Sequence, residues 1–251
     1  MLAAAGLAVF AFARGLRRLR RRGRGDLAGW GRAALFGLAV ALGLLALLSP
    51  LDSVAESELF SAHMLQHVVV GDLVPLLLVL ALRGPLLFFV VPARLGRVAA
   101  GIGPVPAFAF WLVSLGVWHI PGVYEAALSR PLLHAAEHAS FFTAGILVWT
   151  QLVDPARRAA LSLWGSIGYA AALLAVGQLL ANTLILTSKV VYPAYGDADL
   201  LGLSARSDQD AAGLVMMLEQ VATLGTFVLL RLRTTFRAPI EVREGGHPFR
   251  I

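Results

Sequence analysis

Long apolar runs alternate with short polar breaks along the whole chain. A helix rises about 1.5 Å per residue, so a run of roughly 20 apolar residues crosses the hydrocarbon core of a bilayer. About seven such segments can be drawn, at 1–16, 28–48, 59–82, 105–119, 131–152, 163–188 and 210–232. The pattern predicts an all-α fold, a polytopic transmembrane helix bundle. It forms a single integral-membrane domain over 1–251, with 233–251 as a cytoplasmic tail. The first segment is short for a bilayer. Its positive charges follow the apolar stretch rather than precede it, which is not the order of a signal peptide. Ser49-Pro50 ends the second segment and Pro121-Gly122 the fourth, as proline and glycine do. The apolar stretch 85–92 is too short to span and is expected to be interfacial or re-entrant. No internal repeat or domain boundary is visible.

Composition agrees with that pattern. The chain is 58% hydrophobic and 14% charged, where a soluble domain carries about 25% charge. There is no cysteine, which removes disulfides, thiolate zinc sites and iron–sulfur clusters. Any metal must be held by imidazole, carboxylate, amide or thioether groups.

Charge then orients the bundle. The net charge is +6. Arg14, Arg17, Arg18, Arg20, Arg21, Arg22, Arg24 and Arg32 surround the first break. Arg83, Arg94 and Arg97 occupy the third, and Arg157 and Arg158 the fifth. Arg231, Arg233, Arg237, Arg243 and Arg250 line the carboxyl end, whereas the alternate breaks hold only Arg130, Lys189 and Arg206. The positive-inside rule therefore predicts the amino terminus outside and the carboxyl terminus in the cytoplasm. Short basic breaks beside apolar runs read as a surface for anionic lipid, not for nucleic acid.

With this topology, five of six histidines fall at one level near the outer surface. His63 and His67 head the third segment, His119 closes the fourth, and His134 and His138 head the fifth. Each His-x-x-x-His pair lies on one helical face, about 6 Å apart along the axis. Ionisable groups within membrane spans mark function by default, and neutral imidazole is the commonest protein metal ligand. The five histidines are candidate metal ligands; imidazole suits copper or zinc, and added thioether favours Cu(I). Met64 points about 100° away from His63, while Met216 and Met217 lie at similar depth in the seventh segment. Glu137, Gln178, Asn182, Asp208 and Gln209 are candidate additional ligands or orienting partners. Asp208 or Asp210 also suits the start of the seventh helix. Asp72 lies mid-span, as an ion relay or a hydrogen-bond anchor. The 189–209 linker holds Tyr192, Pro193, Tyr195, Asp197, Asp199 and Asp208, and is long enough for a lid or docking role.

Other chemistries fit parts of this set. His134-Ala135-Ala136-Glu137-His138 matches the short inverted zinc-peptidase pattern, which leaves His63, His67 and His119 without a role. His67 and His138 could be axial ligands of a b-type haem, although five histidines exceed what one haem needs. Histidines that only hydrogen-bond across helices are the remaining possibility.

Several segments together resemble a known family. They are Ser61-Ala62-His63-Met64-Leu65-Gln66-His67 with Pro75-Leu76-Leu77-Leu78 and Gly84-Pro85, then Trp118-His119-Ile120-Pro121-Gly122-Val123-Tyr124 through Leu128. His134-x-x-Glu137-His138, Trp149, Tyr192-Pro193-x-Tyr195 and Asp208-Gln209-x-x-Ala212-Gly213 follow in order. This combination, over about 28–232, resembles the CtaG-type cytochrome c oxidase assembly factors. The resemblance implies a multi-pass plasma-membrane protein, not an enzyme, that helps assemble a haem–copper oxidase. It further implies copper delivery to an oxidase subunit, with an extracytoplasmic copper donor as a possible partner.

Overall fold

The computed structural model describes residues 1–158, 161–196 and 201–236. Among these the regular elements are helical. In chain order they are α1 (Leu2–Arg21), α2 (Trp30–Leu48), α3 (Pro50–Ser57), α4 (Phe60–Val68), α5 (Val74–Ala81), α6 (Pro85–Val90), α7 (Ala93–Gly101) and α8 (Pro104–Trp118). Then come α9 (Pro121–Leu128), α10 (Pro131–Val153), α11 (Leu163–Leu186), α12 (Ala205–Gln220) and α13 (Thr226–Phe236). A π-helical turn, Val69–Leu73, joins α4 to α5, and a second, Val221–Gly225, joins α12 to α13. Each of these pairs is therefore one long rod with a widened turn inside it.

Four rods are long and apolar enough to cross a membrane: Gly25–Leu48, Phe60–Ala81, Leu163–Leu186 and Ala205–Thr234. The α7 and α8 pair, bent by 89°, makes a fifth if taken as one span. α10 has the length but not the apolarity, because His134, Glu137, His138 and Gln151 interrupt it. α1 ends in a run of arginines.

Proline at the first helical position starts α3, α6, α8, α9 and α10, where its missing N–H costs nothing. Neither α3 nor α9 is visible as an apolar run; both are short and proline-initiated. The 85–92 stretch becomes α6, which lies on α1 where Gly15 leaves room for Leu86 and Val90. The last rod begins five residues before the expected 210, because Ser204 accepts the Ser207 N–H at 3.1 Å and caps it there. Asp208 and Gln209 consequently sit inside the helix rather than ahead of it.

α10 runs through the middle, against α5, α8, α9 and the first π turn. Its approach to the third rod depends on two glycines. A side chain on Gly145 would strike the Gly71 carbonyl oxygen and the Pro75 ring, and one on Gly71 would press on Phe141. Small residues allow such contact between membrane helices, which gain no hydrophobic drive from lipid. The crossing sets His67, one turn before Gly71, beside the face of α10 that carries His138 and Phe141.

The site end of the bundle is closed by an aromatic cluster of Phe60, Tyr124, Tyr192 and Tyr195, packed with Met64 and Met216. A second cluster, around Trp149 and Leu173, fills the bundle near the other end of α10.

Candidate metal centre

α4 brings His63 and His67, and α10 brings His134, Glu137 and His138. The rings are in contact: 4.2 Å between the centroids of His63 and His67 and 5.2 Å for His67 and His138, both edge to face, and 4.3 Å for His134 and His138 and 5.4 Å for His63 and His134, both tilted. His63, His67, His134 and Glu137 each offer a ligand atom within 4.8 Å of all the others. All four side chains are buried. His138 touches the rings of His67 and His134 at the edge of this group. His119 stands apart, behind Phe141, whose ring is 6.3 Å from it and 5.0 Å from His67.

The tautomers follow from what the outer nitrogens meet. His63 Nδ1 lies 3.1 Å from the Ala55 carbonyl oxygen, and His119 Nδ1 lies 2.8 Å from that of Leu115. His134 Nδ1 lies 2.9 Å from a Glu56 carboxylate oxygen. A carbonyl or carboxylate can only accept, so Nδ1 carries the proton in all three and Nε2 is left as a bare lone pair. The Nε2 atoms of His63, His134, His119 and His138 are buried without a hydrogen-bond partner, as are both ring nitrogens of His67 and Glu137 Oε2. A buried polar atom without a partner costs about 1–3 kcal/mol. Several such atoms converging on one point form an unpaired donor set for a cation, oriented as metal-bound histidines are. Imidazole nitrogens with one carboxylate oxygen suit copper or zinc.

Partners beyond the cluster hold it in place. Tyr195 Oη is 3.0 Å from both His63 Nδ1 and Ala55 O, and 2.6 Å from Tyr124 Oη. Tyr192 donates to His119 O at 2.8 Å. Burial raises the pKa of both loop phenols above the ordinary tyrosine value, so they remain hydrogen-bond donors. Of the lid and docking roles expected for the 189–209 linker, the burial of both rings as the roof of the cluster agrees with the lid. Asp197 and Asp199, expected beside them, lie outside the described residues.

Asp208 accepts the Phe60 and Ser61 N–H groups at 2.6 and 3.1 Å and so caps α4 from another helix. Gln209 accepts the Val191 N–H and donates to Leu184 O and Lys189 O, fastening the linker. Gln178 donates to Met217 O at 3.1 Å, and Asn182 to Gln178 O at 2.7 Å; neither reaches the imidazoles. Met64 and Met216 are buried together, with Met217 packed against them. Asp72 accepts from Trp149 Nε1 at 2.6 Å. Asp210 pairs with Arg206 at 2.9 Å within its own helix.

Glu56 escaped the sequence reading, because α3 lies outside the long apolar runs, and Tyr124 entered it only as part of a motif, without a role at the site. Glu219 also escaped it, although a carboxylate inside the seventh apolar segment is itself a signal.

The fold is an all-helical membrane bundle with one buried imidazole–carboxylate cluster among the described residues. The family model for the cytochrome c oxidase caa3 assembly factor (Caa3_CtaG) matches residues 10–238. The chain belongs to that family, whose partner is the oxidase it assembles. Neither a curated protein nor a solved structure matches it.

Proposed function

We propose that this protein carries copper as cargo at the His63–His67–His134–Glu137 cluster and passes it to a haem–copper oxidase subunit. The observation that carries this reading is the convergence of buried, unpartnered imidazole nitrogens with a single carboxylate. Neutral imidazoles bind copper without thiolate, and a carboxylate offsets part of the cation's charge. Ligands from only two helices, with His138 adjacent as a replacement, suit an ion that must be released. The role is non-catalytic: a carrier needs no bond broken in a substrate.

The same reading takes about seven spans in the plasma membrane, with α1, α8 and α10 crossing beside the four long rods. The amino terminus is outside, and the cluster lies in the outer leaflet. The arginine distribution supports that orientation, and a central, buried α10 can tolerate polar residues that lipid would not. A b-type haem has less support. The imidazole rings touch one another, and the adjoining cavity holds about 80 Å³, where small-molecule sites occupy roughly 300–1,000 Å³.

Copper analysis of full-length protein in detergent tests the proposal. Wild type retains copper against a competing chelator, His63→Ala/His134→Ala does not, and oxidase from cells carrying the variant is copper-poor. Wild-type protein that binds no copper in either oxidation state overturns it.

A further inference from the structure

Two carboxyl groups meet inside the bundle, on rods long and apolar enough to cross a membrane. Asp72 lies in the first π-helical turn, and Glu219 two residues before the second. Widened turns of this kind gather at functional sites. The two side chains face each other within hydrogen-bond reach. The Trp149 indole donates to Asp72 Oδ1 at 2.6 Å. Asp72 Oδ2 and Glu219 Oε1 are both buried and meet no donor.

An ionised carboxylate only accepts hydrogen bonds. Two carboxyls can therefore bond to each other only when one carries a proton. Ionising both would set two like charges in contact, and a carboxyl pair so placed keeps one proton. The indole donor stabilises a charge on Asp72, which leaves the proton on Glu219.

The surroundings give that charge a direction. A cavity of about 80 Å³ touches the pair and His67. Water occupies about 30 Å³ in the liquid, so two or three waters fit. His67 and His119 are the other titratable groups on the wall; α10 and α11 bring only Phe141, Val148 and Leu173 to it, and no Lys or Arg lines it. His67 is 7% exposed, and neither of its ring nitrogens is hydrogen-bonded. It belongs to both the cavity and the upper cluster. Asp72 is five residues past His67, about 7 Å further along the rod, too far to share an ion with the upper cluster.

We propose that Asp72 and Glu219 form a proton-sharing carboxyl pair, in which Glu219 donates one proton to Asp72 and the pair keeps one negative charge as an outlying counter-charge to the cation of the upper cluster. The proton stands on the geometry of the pair alone; the counter-charge role rests on the copper reading. Over about 7–10 Å, at an effective dielectric of about 20, one charge changes affinity for a monovalent cation on the order of ten- to fiftyfold. A charge at that distance attracts the ion without adding a ligand that must later be broken.

Infrared spectroscopy of the metal-free, detergent-purified full chain reads the proton, because a protonated carboxyl has a C=O stretch that a carboxylate lacks. Glu219→Gln and Asp72→Asn each keep a donor in the pair and let the remaining acid ionise. Each is expected to remove one protonated-carboxyl band from the wild-type spectrum, and Asp72→Asn/Glu219→Gln no more than one. Should the double variant not fold, Asp72→Ser/Glu219→Gln carries the same expectation. No band lost, or two lost from the double variant, overturns the shared proton. Competition for Cu(I) with a chromophoric chelator reads the charge: the double variant is expected to bind at least about tenfold more weakly. Unchanged affinity overturns the counter-charge role. Wild type that binds no copper overturns the reading of the upper cluster and the counter-charge with it, while the infrared result still decides the proton.

Discussion

The carboxylate of Asp208 on α12 receives the backbone N–H of Phe60 at 2.6 Å, across 148 residues of sequence. Leu59, at the N-cap of α4, offers no side-chain cap of its own, so the first turn of the histidine helix is finished by another helix. That bond sets where α4 begins, three residues ahead of His63. Asp208→Ala removes the acceptor from one buried and one partly buried donor and is expected to cost about 1–3 kcal/mol. Thermal unfolding in detergent measures it. Copper retention should weaken with it, and Asp208→Asn, which keeps one acceptor oxygen, should restore part of both. An Asp208→Ala protein as stable as wild type would show that water replaces the cap.

Gly145 is where α10 and the third rod touch. Gly145→Ala places a methyl against the Gly71 carbonyl, and the rods must separate. We expect destabilisation on the order of 1–3 kcal/mol and loss of the ring contacts between His67 and His138. Gly116 on α8 has open space around it, so Gly116→Ala is the control. It should leave stability unchanged or raise it by up to about 1 kcal/mol. Equal losses in both would remove the close crossing as the cause.

Glu56 acts on the cluster through His134. Its carboxylate fixes the proton on Nδ1 and turns Nε2 inward, while the side chain itself is 46% exposed. Removing such a partner typically weakens metal binding by about 10–100-fold. Glu56→Ala should show that loss in a chelator competition, with little change in unfolding temperature. Glu56→Gln, which can still accept, should lie between. Unaltered affinity in Glu56→Ala would exclude His134 as a ligand.

Tyr195 ties the roof to His63. Tyr195→Phe keeps the ring and deletes a hydroxyl that meets Ala55, Tyr124 and His63. A cost of about 1 kcal/mol is expected. His63 should keep its tautomer through Ala55, so copper affinity should fall only a few-fold. A fall as large as that of His63→Ala would mean that the hydroxyl, not the carbonyl, holds the ring.

The rods and the histidine pairs were legible in the order of residues. Apolar run length fixes where a helix can cross a bilayer, and a four-residue spacing puts two imidazoles on one face whatever surrounds them. Family membership was legible too, in motifs spread from Ser61 to Gly213. Local order could not say which histidines meet. His63, His67 and His134 converge with Glu137, while His119 is held behind Phe141. This depends on the Gly71–Gly145 crossing and on a cap donated by Asp208 from far along the chain. Glu56, Tyr195 and Glu219 gained their places the same way, since each acts on a residue that only packing brings near. Periodicity records the face a side chain occupies on its own helix; the neighbour it meets is set by how closely two backbones can approach, and that exists only once the helices have packed.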